Sequence, residues 1–331
     1  MNDTRNLKYT AHSYGDHELQ RLGIWQWKHS SGAEHHVPGD PSVPKTKYWF
    51  IYIHGGIWRD PRTTHLQAKP AISFLGGAPN QARIAGFASV DYRLSPHPEF
   101  PQDPAATPAA ELRVAKHPDH IGDVRSALAY LGRELGIGNG EGETPYVLWG
   151  HSCGATLALQ VVMGIEVAGP GRGEVPMPAA VVGLQGMYDL VGLNGRFSGA
   201  YGEMIAGAFG WDEEIWKRVS PARFEGRFSD TWGAHAKGRG IVMLAYSGED
   251  EWIDMSEIDA MEERLKREAD GGLHVMTRRD LTGGHDAVAE DGRAVATVLM
   301  ETVTGLDNLE RAPKVINEVM SERFGNNWDV K

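Results

Sequence analysis

Six consecutive apolar or aromatic residues, Tyr48 to Ile53 (YWFIYI), lie between polar positions and a His-Gly-Gly tripeptide. A run this short, rich in aromatic and β-branched side chains and without alternation, predicts a strand buried on both faces. The same pattern predicts strands over 86–92 (GFASVDY), 146–149 (YVLW), 180–184, 241–246 (IVMLAY) and 273–277. Between these runs the apolar positions change period. Residues 119–135 place Ile121, Val124, Leu128, Leu131 and Leu135 on one helical face, with Asp119 as the expected cap. Helices are also predicted over about 64–76, over ATLALQVVMGI after residue 154, over 255–268 and from Asp286 onward. Strands alternating with helices, most strands almost wholly apolar, mean a mainly parallel sheet covered on both faces.

Two stretches break that rhythm. Residues 187–235 carry short helical patterns and several aromatic residues, which predicts a cap over the carboxyl ends of the strands. Ligands of open α/β sheets bind at those ends. Residues 31–47 are rich in Pro, Gly and charge and are expected to form a loop between early edge strands and the main body. With no internal repeat, the chain reads as one domain over 1–331 that carries the cap as an insertion.

Composition narrows the partners. Hydrophobic residues make up 41% of the chain and charged residues 23%, enough apolar material for a large core. Lys and Arg number 33 against 44 Asp and Glu, a net charge of −11. That balance argues against nucleic acid or an anionic membrane surface, both of which require a basic footprint. Cys153 is the one cysteine, so no intrachain disulfide can form, which fits a reducing compartment. The first residues lack the apolar segment of a signal peptide, and no stretch approaches the roughly 18 apolar residues of a membrane span. A cytoplasmic protein is expected, with a homodimer as an open state of assembly.

The chemistry concentrates in three places. Gly150-His151-Ser152-Cys153-Gly154 matches G-x-S-x-G, in which a serine sits on a strained strand-to-helix turn and small flanking residues let the turn close. The pentapeptide alone is weak, since a glycine-rich turn with a solvated serine has the same letters. YVLW before it and ATLALQ after it supply the strand and helix that an elbow requires. Ser152 is therefore the expected nucleophile. His54-Gly55-Gly56 follows directly on the first buried strand, where backbone N–H groups can reach a developing oxyanion. Gly55, Gly56 and the Cys153 N–H are the expected donors.

The order expected for this arrangement is serine, then acid, then histidine. An acidic loop at 247–251 (SGEDE) follows the IVMLAY strand, and Asp250 is the expected acid, with Glu249, Glu251 and Asp254 as neighbours of the same chemistry. His285, in a glycine-flanked loop before the last helix, is the expected base. No HExxH pair suggests a metal site. The architecture implied is the α/β-hydrolase fold.

At these residues the sequence resembles the kynurenine formamidases of the fungal type. The marker HGGxW reads here as His54-Gly55-Gly56-Ile57-Trp58, and SVDYRLSPHPEFPQDPA (89–105), HPDHIGDV (117–124) and GHSCGATLALQ (150–160) are similar as well. The resemblance implies hydrolysis of N-formyl-L-kynurenine to L-kynurenine and formate in tryptophan degradation. It implies a triad of Ser152, Asp250 and His285, no metal or organic cofactor, a cap at 187–235, and Trp58 as a residue shaping the site. The partner implied is a small N-formyl aromatic amine. Because the acyl group is only formyl, the acyl side can be narrow while the leaving side is wide and aromatic; His54, Trp58, Tyr188 and Trp211 are the candidates to contact the substrate there. A carboxylesterase or arylesterase, a formamidase for another N-formyl aromatic amine, and a non-catalytic binding protein on the same fold are the competing readings.

Overall fold

A computed structural model describes residues 4–28, 46–77, 80–138, 140–165, 175–233, 240–268 and 272–324. The apolar runs become an eight-stranded sheet: β1 (Leu7–Ser13), β2 (Arg21–Trp27), β3 (Tyr48–Ile53), β4 (Ile84–Val90), β5 (Tyr146–His151), β6 (Ala180–Leu184), β7 (Ile241–Ser247) and β8 (His274–Leu281). The order across the sheet is β1-β2-β4-β3-β5-β6-β7-β8. β2 is antiparallel to both β1 and β4, and every later pairing is parallel. This is the α/β-hydrolase fold.

β3 shows why the sequence needs no polar alternation. Tyr48, Phe50 and Tyr52 pack into one core with α1 (Lys69–Leu75) and the long α9 (Gly292–Phe324). Trp49, Ile51 and Ile53 pack into a second core with α2 (Asp119–Leu135) and α3 (Cys153–Val162). Successive side chains of a strand point to opposite faces, so a strand sandwiched between helical layers is apolar at every position. Truncating such a side chain, Phe50→Ala for example, costs about 3–5 kcal/mol.

Register brings the functional ends level. Ile53 of β3 lies opposite both Val90 of β4 and Gly150 of β5, and Gly150 lies opposite Gly183 of β6. The segments that leave these strands therefore emerge along one edge. Above it lie α4 (Leu190–Arg196), α5 (Gly202–Phe209) and α6 (Glu213–Val219), followed by a 3-10 turn and a π-helical turn that ends at Gly233. Residues 234–235 of the expected cap, and 31–45 of the expected loop, lie outside the described residues.

Several boundaries differ from expectation for identifiable reasons. β4 ends at Val90, so Asp91 and Tyr92 leave the ladder and enter the site region. β8 runs to Leu281 because an edge strand is half solvated, and its exposed Arg279 and Asp280 conceal the strand signal. Asp119 is not the cap of α2. Pro118 holds the cap position without a side-chain hydrogen bond, and the Asp119 carboxylate instead accepts the Lys116 N–H at 3.1 Å. The last helical segment is two helices, α8 (His285–Glu290) and α9, divided at Asp291–Gly292. A Cβ at Gly292 would meet the Pro70 carbonyl oxygen at 2.3 Å, so this glycine lets α9 close onto α1. α7 (Ser256–Lys266) follows β7 and fills the remaining layer. Among the described residues, no helix is long and apolar enough to cross a membrane.

Candidate active site

Ser152 stands at the junction of β5 and α3 with φ 56° and ψ −127°, backbone space that a non-glycine residue rarely occupies. The flanking glycines make the turn sterically feasible. A Cβ at Gly150 would lie 2.3 Å from the Gly154 carbonyl oxygen, and a Cβ at Gly154 would lie 2.2 Å from the Ile53 carbonyl oxygen. Both approaches are far inside van der Waals contact. The Ser152 N–H donates to the Leu184 carbonyl at 2.9 Å, which ties the elbow to β6.

Beside it, the loop after β3 is under similar constraint. Gly56, Ile57 and Trp58 all have positive φ, at 90°, 49° and 56°. Two of the three carry side chains, so the conformation needs external support. That support comes from four directions. The Arg59 and Asp60 N–H groups donate to the Gly56 carbonyl at 3.0 and 2.9 Å, and the Ser95 N–H donates to the Trp58 carbonyl at 2.9 Å. The Tyr92 hydroxyl is shared between the carbonyls of His54 and Gly55 at 3.1 and 3.2 Å. The Trp58 N–H donates to Cys153 Sγ at 3.3 Å. Burial pushes the Cys153 thiol up to about 11, so it is a neutral acceptor that braces the loop. Gly55 lies close against the elbow: a Cβ there would sit 3.2 Å from Ser152 Cβ. Among the described residues, the N–H groups of Gly55, Gly56 and Cys153 donate to no backbone carbonyl of the surrounding turns.

The acidic loop resolves into distinct contacts. Asp250 Oδ2 meets His285 Nδ1 at 2.8 Å and also accepts from the Gln185 side-chain amide. Asp250 Oδ1 accepts the Trp252 and Ile253 N–H groups, each at 2.8 Å. Burial would raise the Asp250 carboxyl; the hydrogen bond and charge of His285, with those two N–H groups, outweigh it and hold the carboxyl below its ordinary value. The neighbours are engaged elsewhere. Glu249 accepts the Gly283 N–H and Glu251 the His285 N–H, both at 2.9 Å, so they fix the backbone that presents the histidine. Asp254 pairs with Arg196 at 2.7 Å. His151 adds a further brace, its Nε2–H donating to the His285 carbonyl at 3.0 Å, while burial pushes its imidazole down to about 3 and keeps it neutral.

Ser152, His285, His151 and Gly56 line one cavity of about 290 Å³ at the sheet edge. Met187, Tyr201, Met204, Trp252 and Ile253 supply its apolar wall, and Arg59, Asp60, Arg62, Glu99 and Asp286 its charged wall. The Trp252 ring lies 6.3 Å from the His285 ring at an interplanar angle of 27°. Among the described residues, His151, His285 and Asp286 are the group that could offer ligand atoms to a cation, lying within 4.8 Å of one another. A cation there would share His285 with Asp250.

None of the four expected substrate contacts lines this cavity. Trp58 is fully buried, with its ring edge-on to Phe209 at 4.9 Å. Tyr188 is buried as well, and its ring occupies the space left by Gly183 and Gly186. Trp211 is 71% exposed and lies against Trp216. His54 is buried behind the oxyanion loop, with Nε2 3.6 Å from Asp91. For Trp58 and Tyr188, burial in the core prevails over any role at the surface; Trp211 lies outside the cavity altogether. The sequence does contain a signal for Gln185, a polar residue directly after an apolar strand at the ligand-binding edge. Nothing local marks Tyr201 or Trp252.

No family model matches the chain. Comparison with known proteins finds 32% identity over 295 residues with the kynurenine formamidase-like hydrolase fscH of Fusarium equiseti, covering 88% of this chain and 91% of that protein. The kynurenine formamidase avaC of Aspergillus versicolor is 32% identical over 268 residues, covering 75% and 84%. The kynurenine formamidase of Meyerozyma guilliermondii is 27% identical over 315 residues, covering 94% and 98%. Among solved structures, esterase B of Lactobacillus rhamnosis superposes with a TM-score of 0.60 at 15% identity, covering 94% of this chain and 89% of that one. Thermogutta terrifontis esterase 2 gives 0.57 at 16%, covering 99% and 98%, and these two likenesses carry the fold alone. By its similarity over nearly its whole length, the chain belongs to the kynurenine formamidase-like hydrolases of the α/β-hydrolase fold.

Proposed function

We propose that this protein hydrolyses N-formyl-L-kynurenine to L-kynurenine and formate, with Ser152 as nucleophile, His285 as general base and acid, and Asp250 as the group that orients His285. The observation that carries the reading is the Asp250–His285 hydrogen bond at 2.8 Å, set on the same cavity as a serine held at positive φ. Asp250 accepts a hydrogen bond from Nδ1–H of His285 and fixes that tautomer, so Nε2 is the bare nitrogen that removes the Ser152 proton. Ser152 Oγ attacks the formamide carbon. The oxyanion that forms is held by N–H groups of Gly55, Gly56 and Cys153, each such donor typically supplying about 100- to 1000-fold in rate. His285 then protonates the departing aromatic amine. Water, deprotonated by the same imidazole, attacks the formyl ester and releases formate and Ser152.

The formyl group supports this reading on steric grounds. Ser152 is only 3% exposed beneath the Gly55 loop, which leaves little room on the acyl side. Met187, Tyr201, Met204 and Trp252 offer an apolar and aromatic surface to the ring on the leaving side. The α4–α6 segment that carries Tyr201 and Met204 acts as the cap. Kynurenine release, followed by absorbance, tests the assignment with the Ser152→Ala variant as control. Purified protein that cleaves p-nitrophenyl acetate and leaves N-formylkynurenine intact overturns it in favour of an esterase. A folded protein that takes no fluorophosphonate adduct at Ser152 overturns catalysis altogether.

A further inference from the structure

The charged wall of the cavity is not electrically balanced. Arg62 and Asp60 neutralise each other through a bidentate pair, with Nε to Oδ1 at 2.9 Å and Nη2 to Oδ2 at 2.7 Å. Arg59 has no such partner. Among the described residues, no carboxylate comes within ion-pair distance of its guanidinium, although Glu203, Glu99 and Asp60 act on it through space. It lines the cavity that holds Ser152 and His285, and also an adjoining cavity of about 480 Å³. Its backbone is fixed, because the Arg59 N–H closes the turn on the Gly56 carbonyl at 3.0 Å. Partial burial pushes the guanidinium down from its ordinary value, so an anion that reached it would relieve an existing cost. A half-buried arginine without a carboxylate, rooted in the oxyanion loop and facing a reaction cavity, is what recognition of a planar anion requires.

We infer that Arg59 binds the α-carboxylate of the substrate and makes the enzyme selective for an N-formyl aromatic amine that is also a free amino acid. The inference rests on the formamidase reading and deepens it: the formyl group lies at Ser152, the ring along Tyr201 and Trp252, and the amino-acid end at Arg59. Glu99, on the same wall and in no ion pair among the described residues, leaves a site of opposite sign for the α-ammonium.

The test compares two substrates. N-formyl-L-kynurenine carries the carboxylate; 2′-formamidoacetophenone keeps the formamide, ring and ketone but lacks the amino acid. In Arg59→Met, the ratio of kcat/KM for the first over the second should fall by about 10- to 100-fold, the worth of a charge-assisted hydrogen-bonded pair, mainly through KM. Arg59→Lys should recover part of that ratio, because it keeps the charge and loses the fork. An unchanged ratio in Arg59→Met, with both substrates impaired alike or neither impaired, overturns the assignment of Arg59 and leaves the formamidase reading intact. Wild-type enzyme that turns over the truncated formamide but not N-formylkynurenine overturns the parent reading, and this one with it. An independent measurement uses wild-type protein only: L-kynurenine should inhibit at least about tenfold more strongly than 2′-aminoacetophenone, and equal inhibition counts against the carboxylate contact.

Discussion

Two histidine–aspartate couples stand at the same edge of the sheet, and among the described residues only one lines the cavity that holds Ser152. Asp250 and His285 meet at 2.8 Å beside Ser152. Asp91 and His65 also meet at 2.8 Å, behind the oxyanion loop. The pairs differ in what the rest of each group touches. His65 Nε2 lies 2.9 Å from the Tyr9 hydroxyl, and Asp91 is further shared with Arg21 at 2.7 Å and with His54 at 3.6 Å. Every polar atom of that couple is committed to holding chain to chain. His285 has one nitrogen on Asp250 while the residue itself lines the cavity. A histidine–aspartate hydrogen bond is therefore no signature of catalysis by itself. On the function proposed above, what sets the Asp250–His285 couple apart is an imidazole nitrogen with no hydrogen-bond partner among the described residues, beside a serine at positive φ.

The comparison can be broken by substitution. His285→Ala removes the uncommitted nitrogen and should lower kcat by about a million-fold, as loss of a triad base does, with fluorophosphonate labelling of Ser152 lost in parallel. Retained labelling would falsify the assignment of His285 as base. Asp250→Asn keeps the shape and presents the wrong tautomer of His285, so kcat should fall about 10,000-fold while the melting temperature changes little. Asp91→Asn should behave in the opposite way. It removes the counter-charge of Arg21 and one acceptor of the His65 hydrogen bonds, costing about 1–3 kcal/mol of stability, while kcat of the folded protein drops no more than about tenfold through loosening of the loop after β3. If Asp91→Asn loses rate as steeply as Asp250→Asn, the division between a catalytic and a structural couple is wrong.

How much of this was legible beforehand follows from where each constraint resides. The elbow was readable because its geometry is local: Gly150 and Gly154 are needed within two residues of Ser152, and the flanking strand and helix are continuous in sequence. His54-Gly55-Gly56 was readable for the same reason. Asp250 was distinguishable from Glu249 and Glu251 only by the direction each carboxylate takes, which the turn after β7 decides. The wall of the cavity was not legible. Tyr201 arrives from the N-cap of α5, Trp252 from just after the acidic loop and Arg59 from the loop after β3, and no periodicity links them. Trp58 and Tyr188 lie in the core and off the cavity, because a large aromatic residue fills a core as readily as it meets a substrate. The Asp91 network has no local signature, because its members, His65, Arg21 and His54, are brought together only by β2, β3 and β4 pairing.

Acid probes the surroundings of the two couples, because a buried neutral histidine stands near each: His151 in ring contact with His285, and His120 one ring beyond Tyr92, which stacks on His54. His151 lies against the Asp250–His285 couple, and burial holds its imidazole down at about 3. On the other side His120 stands edge-on to Tyr92, with Nε2 3.0 Å from the Ser95 hydroxyl, and burial again holds it down at about 3. Both imidazoles are neutral in the folded protein and protonate in the unfolded chain near pH 6.5. The unfolded state thus binds more protons below pH 6.5, and stability must fall as the pH falls from there toward 3, by about 1.4 kcal/mol per pH unit for each histidine. The Asp91 carboxyl acts in a lower window. Burial would raise it, but the hydrogen bond from His65 and the charges of His54 and His65 bring it down to about 2, so its contribution is present above about pH 4 and is lost between there and 2. Asp91→Asn should accordingly lower stability by a constant amount above about pH 4, and by less below it, while the slope between pH 4 and 6.5 stays histidine-driven. His120→Asn should reduce that slope by about one proton, whatever it does to the absolute melting temperature. Calorimetric melts across pH 4–6.5 measure the slope directly. An unaltered slope in His120→Asn means that this imidazole is already charged in the folded state, which its burial behind Tyr92 does not allow.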